Sequence, residues 1–173
     1  MAHWSDVETE APETAVRARE SFDAGRHKTM ATTRADGSPR ISGIECQFIG
    51  GDLWLGCMPG SRKAADLRRD SRLALHSLSP DPNPDDPTDW VGDAKLSGHA
   101  VEVTDEAERQ RYVAGLYKRH PEMKPAPDAE DQPFDLFRVE VAEVVTTRVG
   151  DPADHLVIEH WTVGHGVNTI QRR

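Results

Sequence analysis

The sequence predicts a mainly β protein, a small antiparallel barrel or sandwich with peripheral helices. Short runs rich in apolar and β-branched residues follow one another between turn residues, whereas only a few stretches have a helical pattern. The first three β-like runs are joined by connections much shorter than the crossover that parallel strands need. These strands are therefore predicted to be antiparallel and to form a meander, with the helices packed at its periphery.

The first 26 residues are expected to form an N-terminal helical extension. Pro12 stands near a helix start, Val16 and Phe22 supply apolar positions, and Gly25 is a stop signal, which predicts a helix over 12–24. The pattern is weakly amphipathic and predicts packing at the edge of a larger unit. We therefore expect residues 1–26 to precede a barrel domain formed by residues 27–173.

Turn signals divide the next segment into three strands of an antiparallel meander. The runs are 27–34, which ends in the turn DGSP, 40–49, which ends at a Gly-Gly pair, and 52–58, which ends at Pro-Gly. A hairpin closed at Gly50-Gly51 places Cys46 opposite Leu55, with Cys57 as a diagonal neighbour. Diagonal partners lie roughly 7 Å apart, too far for a relaxed disulfide. Two reduced thiols are expected.

The second half of the chain continues this pattern with helices inserted. The predicted elements are a short helix from Ser61 to about residue 70, strands at 72–78, 94–104, 134–149 and 155–163, and a helix over 105–120. Residues 79–93 are rich in proline and aspartate and predict an acidic surface loop, and residues 121–133 predict a second Pro-rich loop. The polar tail from residue 164 is expected to form no element.

Composition excludes several functional classes. With 173 residues the chain suits one domain, and a net charge of −9 argues against binding nucleic acid or anionic membrane by bulk electrostatics. No apolar run is long enough for a membrane span, and the acidic N-terminus is unlike a secretory signal. The expected compartment is the cytoplasm.

Several histidine and tryptophan residues are candidate ligand contacts. His155, His160 and His165 recur every five residues, which puts the first two on opposite faces of a strand, and no metal site is predicted. Trp90 lies in the acidic loop and either covers a ligand as a lid or packs against a partner subunit. The sequence does not choose between these two. Trp54 is expected to pack in the core.

The most informative stretch for chemistry is Pro59–Lys63. A strand ends, the chain turns on Pro-Gly, and a helix begins with Ser61, Arg62 and Lys63. Unpaired amides at a helix start attract anions, Arg62 offers a planar fork and Lys63 a point charge. The pattern predicts an anion site, and a solvated helix start is the alternative. Arg68 and Arg69 are interpreted as a solvated helix face.

These features, in this order, resemble the flavin-binding split-barrel family that includes pyridoxamine 5′-phosphate oxidase. The resemblance lies in MATTRADGSPRIS, LWLGCMPGSRKAADLRRDSRLAL and VIEHWTVGHGVNTIQRR, and it covers the chain from about residue 27 to the end. It implies an antiparallel split β-barrel with peripheral helices, a homodimer, and FMN at the subunit interface.

The resemblance also implies a set of cofactor contacts. Arg40, Ser61, Arg62 and Lys63 would hold the ribityl phosphate, and Trp161 with Arg173 or Arg172 would reach the cofactor from the C-terminal end. Cys57 falls where the family often has a hydroxyl residue near the phosphate, and Asp93 falls near its glutamine beside the flavin. No catalytic side chain is predicted.

The expected function follows from the same resemblance. The oxidase proper ends in an Arg-x-His-x-Arg segment, whereas Thr169–Arg173 lacks the histidine, so oxidation of pyridoxamine phosphate is not expected. Similar members use the deazaflavin F420 in place of FMN. The implied function is an oxidoreductase that transfers hydride between either cofactor and a small organic substrate. The alternative is a non-catalytic flavin- or haem-binding protein.

Overall fold

The computed structural model describes residues 1–125 and 133–173. The helices are α1 (Trp4–Glu10), α2 (Pro12–Asp23), α3 (Arg62–Arg69) and α4 (Glu106–Arg119). The strands are β1 (Lys28–Thr33), β2 (Pro39–Ile44), β3 (Cys46–Ile49), β4 (Asp52–Cys57), β5 (Arg72–His76), β6 (Asp93–Glu102), β7 (Asp135–Val149), β8 (Leu156–Thr162) and β9 (Gly166–Arg172). Short 3-10 turns occupy Pro87–Asp89 and Pro121–Met123. The mainly β prediction is confirmed.

All strands belong to one antiparallel sheet of nine strands. Its main path runs β2-β1-β5-β6-β7-β4-β3, and β8 and β9 branch from β7. The branch arises because β7 has 15 residues, of which the first part pairs with β4 and the last part with β8. The fold is an antiparallel split barrel with peripheral helices, as the sequence indicated.

The sheet closes on itself at Glu45. β2 and β3 stand at opposite ends of the main path, yet only Glu45 separates them along the chain. The prediction of a single strand over 40–49 in a simple meander is therefore wrong, because the chain bends there and changes partners from β1 to β4. Ile44 and Cys46 are both buried, so the alternation of inward side chains continues through the bend and hides it in the sequence.

The β3–β4 hairpin agrees with the sequence-based register. Gly50 and Gly51 have φ values of 63° and 83°, a conformation that favours glycine and closes a two-residue turn. Cys46 is paired with Leu55, as predicted. Cys46 and Cys57 are both buried free thiols, which confirms that expectation.

The N-terminal helices complete the main hydrophobic core. Trp4 on α1 and Phe22 on α2 are almost fully buried, and both rings contact Phe48 of β3 at centroid distances of 4.5 and 5.9 Å. Before α1, the backbone of Ala2 bridges to Val141. Helix α2 matches the prediction, whereas α1 was missed because its short sequence contains few apolar residues.

The C-terminal tail also differs from its prediction. Residues 166–172 form β9, which pairs along its whole length with β8. As an edge strand with a single neighbour, β9 buries none of its side chains, so its sequence carries no apolar alternation.

Both predicted loops contain local structure within the described part of the chain. In the acidic loop 79–93 the half-buried Trp90 donates its indole N–H to the carbonyl of Pro80 at 2.6 Å. The Pro-rich loop begins with the turn Pro121–Met123, and its residues 126–132 lie outside the described part of the chain.

None of the helices in the described part of the chain combines the length and apolar character needed to cross a membrane.

Gly98 provides a test of the barrel's strand packing. A Cβ at this position would lie 2.1 Å from the carbonyl oxygen of Glu140, at the irregular register between β6 and β7. Gly98→Val is expected to lower the free energy of unfolding by about 2 kcal/mol or more. The added side chain would clash with the backbone of β7, which cannot move aside as a flexible side chain can. Urea denaturation measures this loss.

Gly56→Ala is the matched control, because an added Cβ in this strand would meet nothing within 4 Å. We expect nearly unchanged stability for this variant. Equal stability of the two variants would contradict the tight approach of β6 to β7.

Candidate cofactor site

A cavity of about 1200 Å³ lies between α4 and the strands β2, β3 and β4. Two of the predicted site residues, Cys57 and Lys63, line it, together with Met58 and Pro59 between them. Of the residues predicted to form the anion site, Lys63 therefore lines a large cavity, whereas Arg40, Ser61 and Arg62 are not among its lining residues.

The start of α3 forms the polar corner of this cavity. Gly60 has a φ of 70°, which allows the tight turn out of β4. Ser61 caps the helix, because its Oγ accepts from the amide of Ala64 at 3.4 Å. The amides of Arg62 and Lys63 occupy the first turn, where a helix offers them no carbonyl partner. An anion at this position would be bound by amides and by the helix dipole.

The two cations of the first turn have different surroundings. Lys63 Nζ donates to the carbonyl of Gly43 at 2.6 Å, which ties α3 to β2. Arg62 is exposed and makes no hydrogen bond or ion pair with another described residue. Cations at a helix N-terminus oppose the dipole unless an anion is present, so this pair favours a bound anion.

Cys57 is a buried thiol beside this corner. Burial raises its pKa, while the charge of Lys63 and a hydrogen bond with Ser61 act in the opposite direction without cancelling the effect of burial. The thiol therefore stays protonated at neutral pH and is unsuited to act as a nucleophile.

Arg40 binds the buried carboxylate of Asp66 on the inner face of α3. Its Nε donates to Asp66 at 2.5 Å, and this buried carboxylate also accepts from Thr32 and Arg69, both at 3.0 Å. Burial alone would raise the pKa of Asp66, but the three hydrogen bonds outweigh it and hold the pKa at about 2. Arg40 thus has a carboxylate partner and anchors α3 against β1 and β2.

The structure does not bring the C-terminal candidates to this cavity. Trp161 is completely buried in the core, where its indole N–H donates to Glu10 at 3.2 Å. Arg173 is largely exposed and lies 3.6 Å from Asp154, and Arg172 pairs with Leu156 on the edge hairpin. Asp93 begins β6 beside His76, at 3.5 Å. A contact of these residues with a ligand in this cavity of the same chain has no support.

The histidines of the last strands have other partners. His155 contacts Asp154 at 2.8 Å, and His160 contacts Glu143 at 3.2 Å. In residues 1–125 and 133–173, no three His, Cys, Asp or Glu side chains are grouped so as to hold a metal ion.

Sequence reasoning missed the second wall of the cavity, which is α4. Its lining side chains are Glu106, Arg109, Gln110, Tyr112, Val113, Leu116 and Tyr117. The sequence predicts a helix over 105–120, but its pattern does not indicate what the apolar side chains of that helix face. Gly115 was the remaining signal, since a Cβ there would lie 2.3 Å from Ile49 Cγ2, and its absence lets α4 approach β3 closely.

Trp54 and Trp90 are placed differently. Trp54 is 5 % exposed, contacts Tyr112 and donates to the carbonyl of Ile49 at 2.9 Å, which confirms the expectation of core packing. Trp90 does not line this cavity among the described residues.

The chain thus forms a closed antiparallel split barrel with a cationic helix start beside a large cavity. The model of the pyridoxamine 5′-phosphate oxidase family matches residues 17–148, and the chain belongs to this family. No curated protein matches the chain.

Solved structures share the fold at low sequence identity. A pyridoxamine 5′-phosphate oxidase-related, FMN binding protein from Nostoc punctiforme is 14% identical, with 96% of this chain and 97% of that chain covered and a TM-score of 0.59. An F420 reductase is 16% identical, with 73% and 94% covered and a TM-score of 0.52. A heme binding protein from Mycobacterium smegmatis is 16% identical, with 93% and 88% covered and a TM-score of 0.52.

The anchor of α3 can be tested at Asp66. Asp66→Asn leaves Arg40 and Arg69 without their buried carboxylate and is expected to lower the free energy of unfolding by about 3 kcal/mol. Because the pKa of Asp66 is about 2 in the folded chain against an ordinary 3.8, its contribution is full above about pH 4 and is lost as the pH falls through about 2. Denaturation at neutral and acidic pH measures both effects.

Asp70→Asn is the control for this variant. Asp70 pairs at 2.6 Å with Arg72, whose side chain is 68% exposed, and such surface pairs contribute little. Similar losses for both variants would show that Asp66 does not anchor the helix.

Proposed function

We propose that this protein is an oxidoreductase that binds FMN or F420 and transfers hydride between the cofactor and a small organic substrate. The observation that carries the proposal is the start of α3, where Arg62 and Lys63 stand in the first turn and Lys63 lines the cavity. Membership of the pyridoxamine 5′-phosphate oxidase family supports a cofactor of this kind.

The donors at this corner fit a phosphate ester. Ser61 caps the helix, the first-turn amides point along its axis, and Arg62 keeps its planar fork available. FMN and F420 both carry a phosphate near a redox ring, so these donors suit either of them. FMN is our first choice, with F420 as the alternative.

The chain's own part in the reaction is to bind, orient and exclude water. When bound, FMN or F420 supplies the ring that accepts or donates a hydride. The apolar part of the cavity, which includes Val113, Leu116 and Phe134, would keep water from that ring. The protonated thiol of Cys57 fits a reaction that needs no side-chain nucleophile.

We propose that the remaining predicted site residues support the site without contacting a cofactor bound in the same chain. We assign Arg40 to positioning α3 through Asp66, because its Nε is already bound there. Arg173 is exposed at the end of the β8–β9 hairpin and would reach a cofactor of a second chain. Trp161 would support that hairpin from the core.

We assign cofactor binding to residues 27–173, with residues 1–26 as a helical extension that covers the core. The two free, buried cysteines are compatible with the expected cytoplasmic location.

A homodimer with the cofactor at its interface accounts for an exposed apolar surface beside the site. Ile41 is 76% and Met58 79% exposed, the highest values among the large hydrophobic side chains described. Ile41 shares the outer face of β2 with Gly43, whose carbonyl holds Lys63, and it is in register with Ala31 of β1. A second chain on this face would cover apolar surface and complete the cavity.

Ile41→Asp tests the dimer. A charge on this outer face is expected to weaken association at least tenfold without unfolding the barrel, because the side chain contributes nothing to the core. Sedimentation equilibrium measures association. Val16→Asp, at an exposed apolar position of α2, is the control and should leave it unchanged. A wild-type monomer at all concentrations would contradict the dimer.

Arg62→Ala tests the anion site. Loss of a charge-assisted contact worth about 1.5–3 kcal/mol is expected to weaken FMN or F420 binding roughly ten- to hundredfold. Fluorescence titration of the cofactor-free protein with each compound measures the affinity. Arg111→Ala removes an exposed arginine of α4 that has no polar partner among the described residues, and it should bind normally.

Three outcomes of this titration would overturn the proposal. The first is equal affinity of Arg62→Ala and the wild type. The second is a wild type that binds neither compound. The third is a haem spectrum in the purified protein, which would favour the non-catalytic alternative.

A further inference from the structure

We propose that Arg109 binds the carboxylate of an organic substrate whose apolar body packs against α4 within the cavity. This inference rests on the proposed function, because it names the substrate class of the same site. It concerns a different wall of the cavity from the cationic start of α3.

Arg109 is held in one orientation by groups that carry no charge. Its two terminal nitrogens donate to the carbonyls of Val103 at 3.1 Å and Phe134 at 2.9 Å. The guanidinium also lies 4.6 Å from the centroid of the Phe134 ring. These contacts use only part of its five N–H donors, so the planar fork keeps further donors for a ligand.

The positive charge of Arg109 is not neutralised within the described residues. No carboxylate lies within ion-pairing distance of it in this part of the chain, although Arg68, Arg119 and Arg138 all have such partners. A half-buried guanidinium that lines a cavity and has no carboxylate partner in residues 1–125 and 133–173 favours an anionic ligand.

The two carboxylates that line the same cavity do not compete strongly for this role. Glu45 is 3.0 Å from Arg26 Nε, and Glu106 accepts from Gln110 at 3.1 Å. Glu106 is also in the first turn of α4, where the helix dipole stabilises its charge. Each of these carboxylates therefore has its own stabilising partner, whereas Arg109 has no carboxylate partner among the described residues.

The surface next to Arg109 selects the rest of the substrate. The rings of Phe134 and Tyr112 are tilted by 50° with centroids 6.2 Å apart, and Val113 and Leu116 pack beside them. An aromatic or aliphatic body of a few carbons would gain from burial here. A planar carboxylate at one end would meet the fork of Arg109, which is the match that guanidinium makes best.

The test uses 3-phenylpropanoate and its neutral analogue 3-phenylpropanamide as probes of this 173-residue chain. We expect the carboxylate to bind roughly ten- to hundredfold more tightly than the amide. In NMR titrations it should shift the side-chain resonances of Arg109 and Phe134. Equal affinity for the two probes, or shifts confined to other parts of the chain, would overturn the inference.

Arg109→Gln should abolish the preference for the carboxylate, while Arg111→Gln on an exposed position of the same helix should keep it. A retained preference in Arg109→Gln would show that Arg109 only joins α4 to the strands. Should that variant not fold, Arg109→Lys serves instead, since it keeps the charge without the fork. It should weaken carboxylate binding severalfold with the amide unaffected, and unchanged carboxylate affinity would refute the proposal.

Titrations with cofactor and with carboxylate separate the two proposals. If the protein binds the carboxylate but neither FMN nor F420, the proposed function is wrong and the carboxylate site at Arg109 stands. If the protein binds the cofactor but binds 3-phenylpropanoate no more tightly than 3-phenylpropanamide, the carboxylate site at Arg109 is wrong and the proposed function stands.

Discussion

The change of partner at Glu45 is the constraint on which the site depends. Because β2 and β3 are consecutive in the chain but stand at opposite ends of the sheet, the sheet must close. Closure brings β2 near β4, so that the carbonyl of Gly43 meets Lys63 just after the turn that leaves β4. The cavity then forms where the two edges meet, and α4 covers it from outside. An open meander of the same strands would leave these groups apart.

The distribution of charge around α3 explains which cations are available to a ligand. Asp66 holds Arg40 and Arg69, and the carboxylates of Glu102 and Asp135 hold Arg68. The inner face and the C-terminal end of the helix are therefore neutralised, in a chain whose net charge is −9. The cations of the first turn, Arg62 and Lys63, lack carboxylate partners among the residues described. The site thus depends as much on where carboxylates are placed as on the cations themselves.

The sequence predicted most of the architecture but only one side of the site. Local signals were sufficient for the β3–β4 register and for α4, because turn glycines and a helical stripe are properties of neighbouring residues. The bend at Glu45 left the apolar alternation intact, and β9 buries too little to show any, so both were invisible. Ser61, Arg62 and Lys63 were predicted as site residues because they form a contiguous motif. The wall formed by α4 was not predicted, because the position of this helix opposite β3 and β4 is set by tertiary packing. Val113, Leu116 and Tyr117 are half-buried, and their pattern in the sequence does not distinguish a cavity wall from a packed face.

The two sides of the cavity are built with different degrees of constraint. The polar corner is fixed by the barrel, since moving Ser61 would disturb β4 and the buried contacts of Asp66. Helix α4 is joined to the strands mainly through side chains, including the bonds of Arg109 and the bond from Arg119 to the carbonyl of Phe48 at 3.0 Å. The polar corner therefore depends on the strands and on α3, whereas the position of α4 depends on individual side-chain bonds. In the proposed function the phosphate of the cofactor meets the wall that the barrel positions, and the substrate meets the wall that α4 provides.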